Sequence, residues 1–192
     1  VEELVMKDLR NFAPWIAFAV VSMVADWRAA ATIALATATV AALDRRHHHE
    51  ARDDLAAAGL VYFTGLTVVA AVAPASPVHA YIAALSPAAL AVGAALSIIR
   101  GRPFTIPFAK RSTPPELWDQ PRFYDANVTI SLIWTLSFAA AAVAIASVVI
   151  MSANPAPLVV AIQALGFIIP MRCTAWYRRQ LQARYTTLSP AN

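Results

Sequence analysis

The chain has 192 residues, of which 59% are hydrophobic and 14% charged, and its mean hydropathy is +0.59. A soluble domain is about half apolar and about a quarter charged, so this composition, gathered into long uncharged blocks, excludes an ordinary soluble domain and points to a polytopic membrane protein. The net charge of +4 does not point to nucleic acid, because the cations gather at the ends of apolar runs, and a single cysteine, Cys173, excludes an internal disulfide or a Cys-rich metal site.

The predicted fold is all-α, a single transmembrane domain over 1–192. It is a bundle of about six helices with spans near 12–25, 29–43, 55–73, 80–99, 128–151 and 158–176, and a cytoplasmic basic loop over 100–127. Recurrence of apolar blocks to the C-terminus excludes a cleaved signal peptide as the whole explanation. The opening VEELVMKDLRNF sets Leu4, Val5 and Leu9 among charges and predicts a short interfacial helix before the first span. Pro14 falls in that span's first turn, where proline is tolerated. Asp26, Trp27 and Arg28 then interrupt the apolar run. The second span is rich in alanine and threonine. Ala30, Ala34 and Ala38 recur four apart, which allows close helix approach and predicts a helix internal to the bundle. Both spans are nearer to about 15 residues than to the roughly 20 of a full crossing, so two crossings and one re-entrant hairpin both stay open.

DRRHHHEARDD follows, from 44 to 54. Adjacent helical side chains point about 100° apart, so His47, His48 and His49 cannot share one ion from one helix face. A solvated charged loop is the first reading, and no metal is assigned; two of the histidines meeting an ion in an extended turn is the alternative. The third span carries Gly59 and Gly65 as small packing positions. In the fourth, Pro87 predicts a kink and Gly93 a close approach. His79, at its entrance, reads as a surface residue. The fifth span has a smooth alanine face over 139–142. The sixth holds Gln163, Gly166 and Pro170 and leads into a basic tail of Arg172, Arg178, Arg179 and Arg184.

On chemistry alone, function is expected in the loop. It holds Arg100, Arg102, Lys110, Arg111 and Arg122, together with Pro103, Pro107, Pro114, Pro115 and Pro121. Proline removes a donor and restricts the residue before it, so no regular helix can run through this stretch. Phe104, Phe108, Trp118, Phe123 and Tyr124 are interleaved with the cations, a mixture suited to the headgroup layer. Either the loop is a linker resting on the membrane, or it folds back on the bundle and forms part of a site.

Orientation follows from the cations. With six crossings and the N-terminus inside, fourteen of the fifteen Lys/Arg residues fall on the inner side and only Arg28 outside, which predicts N-in and C-in. A hairpin formed by the first two runs leaves both termini on the same side.

Catalytic signatures are missing: there is no phosphate-binding loop, dinucleotide fingerprint, zinc-protease motif or nucleophile elbow. No lysine lies in a span, which excludes a retinal Schiff base, and no carboxylate lies mid-span, which weakens a proton pump. Asp26 reads as a surface partner of Arg28, with a proton or cation gate as the alternative. Most hydroxyls in the spans are expected to bond their own backbone. Gln163 does so less easily and is expected to face another helix or a wet cavity. Asn127 is expected to cap the fifth span, with a role at a ligand headgroup as the alternative; Ser131, Trp134 and Thr135 follow on that helix.

The order of features resembles the intracellular septation protein A family of small bacterial inner-membrane proteins. The matching pieces are an apolar run ending in Asp26, the Ala/Thr-rich run 29–43 and the basic loop after it. An aliphatic span then leads to Arg100-Gly101-Arg102-Pro103-Phe104, and Pro115 and Trp118 precede a helix carrying Leu132, Trp134 and Phe138. PFTIPFAK and PRFYDAN mark a divergent branch, and the resemblance covers 11–150. Where the family pattern carries an asparagine three residues before the tryptophan, this chain has Ser131; its asparagine is Asn127. The resemblance implies a non-enzymatic protein of the bacterial inner membrane, tied to cell division and envelope upkeep through protein partners. With the basic loop it implies contact with anionic lipid headgroups and no cofactor. A small transporter or channel for a lipid or other small molecule is the alternative, suggested by six spans in two halves of opposite orientation. An enzyme gripping a lipid phosphate through Arg100, Arg102, Lys110 and Arg111 ranks third.

Overall fold

The computed structural model describes residues 2–47, 54–152 and 155–188, with side chains for these outside 2–11, 23 and 182–188. The described residues are helical, with no strand. Seven α-helices follow in order: α1 (Glu2–Val24), α2 (Trp27–His47), α3 (Asp54–Val72), α4 (Val78–Ile99), the short α5 (Ile106–Lys110), α6 (Pro121–Met151) and α7 (Ala156–Leu188). Short turns join α1 to α2 and α3 to α4, so each pair packs as a hairpin. α2 also lies on α3, α4 packs most extensively on α6, and α7 rests against α6.

Four helices, α3, α4, α6 and α7, are long and apolar enough to cross a membrane. Among the described residues these four mark a membrane protein. In α1 the apolar stretch found among the described residues is Phe12–Ser22, and α2 falls short in composition. Alanine and threonine carry little hydropathy, so a helix built from them packs well without declaring itself as a span.

That packing is visible along α2. Ala30, Ala31, Ala34, Ala38 and Ala41 are buried, so the small-residue stripe faces the neighbouring helices. Thr32 and Thr39 face outward and are exposed. Together with half-buried Thr37 they donate to the carbonyls of Arg28, Leu35 and Ile33 at 2.8–2.9 Å, which satisfies each hydroxyl without a partner helix. The helix therefore buries one face instead of sitting inside the bundle as expected. Gly93 marks the closest approach of α3 and α4. A Cβ there would lie 2.7 Å from the Cβ of Ala58, far inside contact distance. Gly59 lies against the Trp15 ring, whereas Gly65 meets nothing within 4 Å and is not the packing position its spacing suggested.

Three helix boundaries differ from the sequence reading. α1 runs without a break from Glu2, so Pro14 sits in its interior and not in a first turn. α7 continues past Pro170 and carries the basic tail on helix as far as Leu188. α6 starts at Pro121, about two turns before the apolar run at 128. Proline supplies a preset φ and lacks only a donor that a first turn leaves unpaired, so Pro121 starts this helix instead of excluding it.

Candidate functional site

The loop between α4 and α6 is a built structure tied to three helices. Its course is set at the end of α4. Gly101 has φ of 69°, a left-handed conformation that glycine adopts without steric cost. The Arg102 amide donates to the Ser97 carbonyl at 2.8 Å, and the Gly101 amide to Ile98 at 2.9 Å. This pair of bonds is a Schellman stop, and Pro103 beyond it prevents the helix from resuming. The chain is thereby turned back on the bundle, and Pro103, Phe104 and Thr105 are buried.

Burial requires that their polar groups be paired, and they are. The Phe104 amide donates to Ser97 Oγ at 3.1 Å, and that hydroxyl donates to the Ala94 carbonyl at 2.7 Å. Thr105 Oγ1 lies 3.0 Å from the Asn127 carbonyl oxygen, 3.1 Å from Asn127 Oδ1 and 2.9 Å from Ser131 Oγ. Both Asn127 oxygens only accept, so the Thr105 proton goes to Asn127 and the Ser131 hydroxyl donates to Thr105. Asn127 Nδ2 donates to the Phe123 carbonyl at 2.8 Å. Asn127 is 2% exposed and Ser131 0%. Asn127 therefore does not cap α6. It lies in the second turn, because the helix began at Pro121 with Gln120 as its cap residue, and it clamps the loop instead.

Further out, α5 forms over five residues with Pro107 near its start. Lys110 Nζ stands 4.7 Å from the centre of the Trp118 ring, and the Arg111 guanidinium 5.7 Å from that of Phe108. The Trp118 indole donates to the Thr113 carbonyl at 3.0 Å. Arg178, on α7, donates to Ser112 Oγ at 2.7 Å. Arg100 pairs with Asp54 at the start of α3, so the α4 end, the α3 start and the α7 basic segment meet at one end of the bundle. Arg102 is exposed and makes no ion pair or hydrogen bond through its side chain among the described residues.

Beneath the loop lies a cavity of about 450 Å³, bounded by α6, α7, α5 and Phe12 of α1. Its wall is mainly aromatic and aliphatic, with Phe104, Phe108, Phe123, Ile130 and Trp134 facing it. Trp134 is fixed by its indole N–H, which donates to Thr174 Oγ1 at 3.1 Å, and by rings on three sides. Phe104 stands edge-on at 6.5 Å, with Phe138 at 5.5 Å and Phe167 at 6.3 Å. Arg122 and Arg178 border the cavity and are exposed.

No family model, curated protein or solved structure matches this chain. The site stands on its own geometry.

Of the residues singled out from the sequence, the fold brings Pro103, Phe104, Asn127, Ser131 and Trp134 together at the cavity and its clamp. Arg100, Arg102, Lys110, Arg111 and Trp118 decorate the outer loop. Two fall elsewhere. Asp26 lies a helix length away, exposed and paired with Arg28, whose hydrogen bond holds the carboxyl below its ordinary range. Gln163 is exposed on α7 and makes no side-chain hydrogen bond to another helix among the described residues. His47 ends α2, while His48 and His49 lie outside the described residues. No group of metal-ligating side chains occurs among the described residues. Sequence reasoning missed Thr105, Thr174 and the cavity role of Arg178. A threonine directly after Pro-Phe was a usable signal, since a hydroxyl in a buried turn needs a partner.

Proposed function

We propose that this is a non-enzymatic protein of a bacterial inner membrane whose basic end is a docking platform for anionic lipid headgroups and for partner proteins of the envelope and division apparatus. One observation carries the reading. The cation-rich loop is folded and clamped by Thr105, Asn127 and Ser131, so its charges are held in place at one end of the bundle. Fixed cations at a membrane surface attract anionic lipid by about 1 kcal/mol each. The resemblance to the septation family supports the envelope role, and the distribution of fourteen cations to one side of fifteen supports N-in and C-in with six crossings.

The test is genetic and topological. Deleting the gene is expected to give elongated or detergent-sensitive cells, rescued by the intact gene and not by one carrying Arg102→Gln, Lys110→Gln and Arg111→Gln together. Normal cells after deletion, or full rescue by the triple variant, overturn the platform. In a Cys173→Ser background, cysteines at Ser112 and Ser76 are expected to label from opposite sides of the membrane. Labelling from one side removes the topology.

The cavity under the loop favours a second reading, a small carrier or channel for a lipid or other amphiphile. Movement of labelled lipid between leaflets of proteoliposomes containing the protein distinguishes it from a static platform.

A further inference from the structure

A cavity of about 450 Å³ falls in the size range of sites that hold a small molecule. Its chemistry is uneven. Phe104, Phe108, Ile130 and Trp134 give it an apolar wall, and three of the polar groups that reach it are occupied, while the Thr113 and Gln120 side chains make no hydrogen bond among the described residues. The Thr105 hydroxyl and Asn127 amide bond each other and the α6 backbone, and the Thr174 hydroxyl receives the Trp134 N–H. At its border stand Arg122, which makes no ion pair or hydrogen bond through its side chain among the described residues, and Arg178, which spends one N–H on Ser112. The acids nearby, Glu116, Asp119 and Asp125, are exposed and none lines the cavity. A soluble anion would satisfy the arginines and leave the aromatic wall wet. An uncharged hydrocarbon would do the reverse. The pairing of an apolar wall with two border guanidiniums matches a molecule with one long apolar part and an anionic end.

We infer that this cavity binds one membrane phospholipid with a net-anionic headgroup, an acyl chain against the Phe104–Trp134 wall and the phosphodiester between Arg122 and Arg178. The inference rests on the proposed placement of the basic end at the inner headgroup layer, where such a lipid is within reach. It adds a single internal site to a surface that otherwise attracts anionic lipid without stoichiometry. Guanidinium–phosphate contacts are charge-assisted and often bidentate, so the two arginines set the headgroup preference while the wall sets retention.

The experiment is native mass spectrometry of the full chain in detergent micelles supplied with phosphatidylglycerol or phosphatidylcholine. One phosphatidylglycerol per chain is expected, held in preference to phosphatidylcholine. Arg122→Gln with Arg178→Gln is expected to reduce that preference by about tenfold, the order of one charge-assisted hydrogen bond. Ala126→Trp and Ala109→Phe, which fill the cavity from α6 and from α5, are expected to abolish the bound lipid while leaving the charges intact. Arg28→Gln, outside the cavity and at the other end of α2, is expected to change nothing. Equal retention by wild type and both filled variants overturns the site. If the arginine pair matters while the fillings do not, lipid is held by the charged surface alone; the cavity site falls and the platform reading survives. Equal retention of both lipids by every variant overturns both. A second measurement does not depend on a filled variant folding. One equivalent of phosphatidylglycerol brominated on its acyl chain is expected to quench a fluorescence component that is missing in Trp134→Phe. Quenching that is the same in wild type and Trp134→Phe overturns the inference.

Discussion

Two aromatic clusters of similar composition sit in this molecule, and they end differently. In the first, Trp15 of α1 stacks on Tyr62 of α3 at 5.2 Å and meets Phe63 at 4.8 Å, while Phe18 meets Phe63 at 5.6 Å. Tyr62 spends its hydroxyl on Ser86 of α4 at 2.9 Å. Phe63 is 0% exposed, and the space beside this cluster is about 10 Å³, room for about one water. In the second, Phe104, Trp134, Phe138 and Phe167 also meet ring to ring, yet two of them, Phe104 and Trp134, border a cavity of about 450 Å³. The difference lies in what closes over the rings. Alanines of α2 and Gly59 of α3 let helices settle onto Trp15. Over Trp134 lies a proline-broken loop, whose backbone cannot pack down as a helix does. The lesson is that the same residue types make a sealed core under small-residue helices and an open site under a clamped loop.

The sharpest test of the sealed half is Gly93→Leu. A side chain there starts 2.7 Å from Ala58 Cβ, so the α3–α4 contact must part. The expected loss is about 3 kcal/mol, the upper end for overpacking, read as thermal unfolding in detergent. Gly65→Leu, facing open space, is expected to cost no more than about 0.5 kcal/mol; equal losses at the two glycines would break the account of the packing.

Next in size is the contrast of ring truncations. Phe63→Ala is expected to cost about 3 kcal/mol or more, because it opens a void in a filled site. Phe104→Ala, beside space that already exists, is expected to cost about half as much. Equal costs would mean that the second cluster is as tightly closed as the first.

The clamp gives a smaller effect. Thr105→Val removes the hydroxyl between Asn127 and Ser131, at about 1–2 kcal/mol. Limited proteolysis is expected to cut within 105–120 faster in this variant. An unchanged rate would show that the loop is held by Phe104 alone.

The smallest effect belongs to the opposite end of the molecule. Asp26 is exposed, and its pair with Arg28 holds the carboxyl below its ordinary range. A carboxylate lowered on folding contributes above its unfolded-state pKa and loses that contribution as pH falls through the folded value. The melting temperature of wild type is therefore expected to exceed that of Asp26→Asn slightly at neutral pH and to converge with it at low pH. A large neutral-pH difference would point to a function at Asp26 that its geometry does not support.

How much of this was legible beforehand can be traced residue by residue. The central helices were legible because uncharged apolar runs of span length have few alternatives in lipid. The loop's limits were partly legible. Gly101 before Pro103 carries a helix stop, but Pro121 was read as part of a broken loop when it begins α6, since proline both ends and starts helices. Asn127 looked like a cap from its position before the apolar run, and its true partner, Thr105, is 22 residues away in sequence. Gly59 and Gly65 look alike in sequence; only the neighbouring helices separate the one that packs from the one that does not.

By itself the sequence determined a helical membrane protein with cations gathered at the ends of its apolar runs, because hydropathy and charge are sums over local stretches. The clamp, the cavity and the placement of Arg122 and Arg178 at its border were decided by tertiary structure alone. Each depends on residues distant in the chain meeting in space, and local composition carries no record of such meetings.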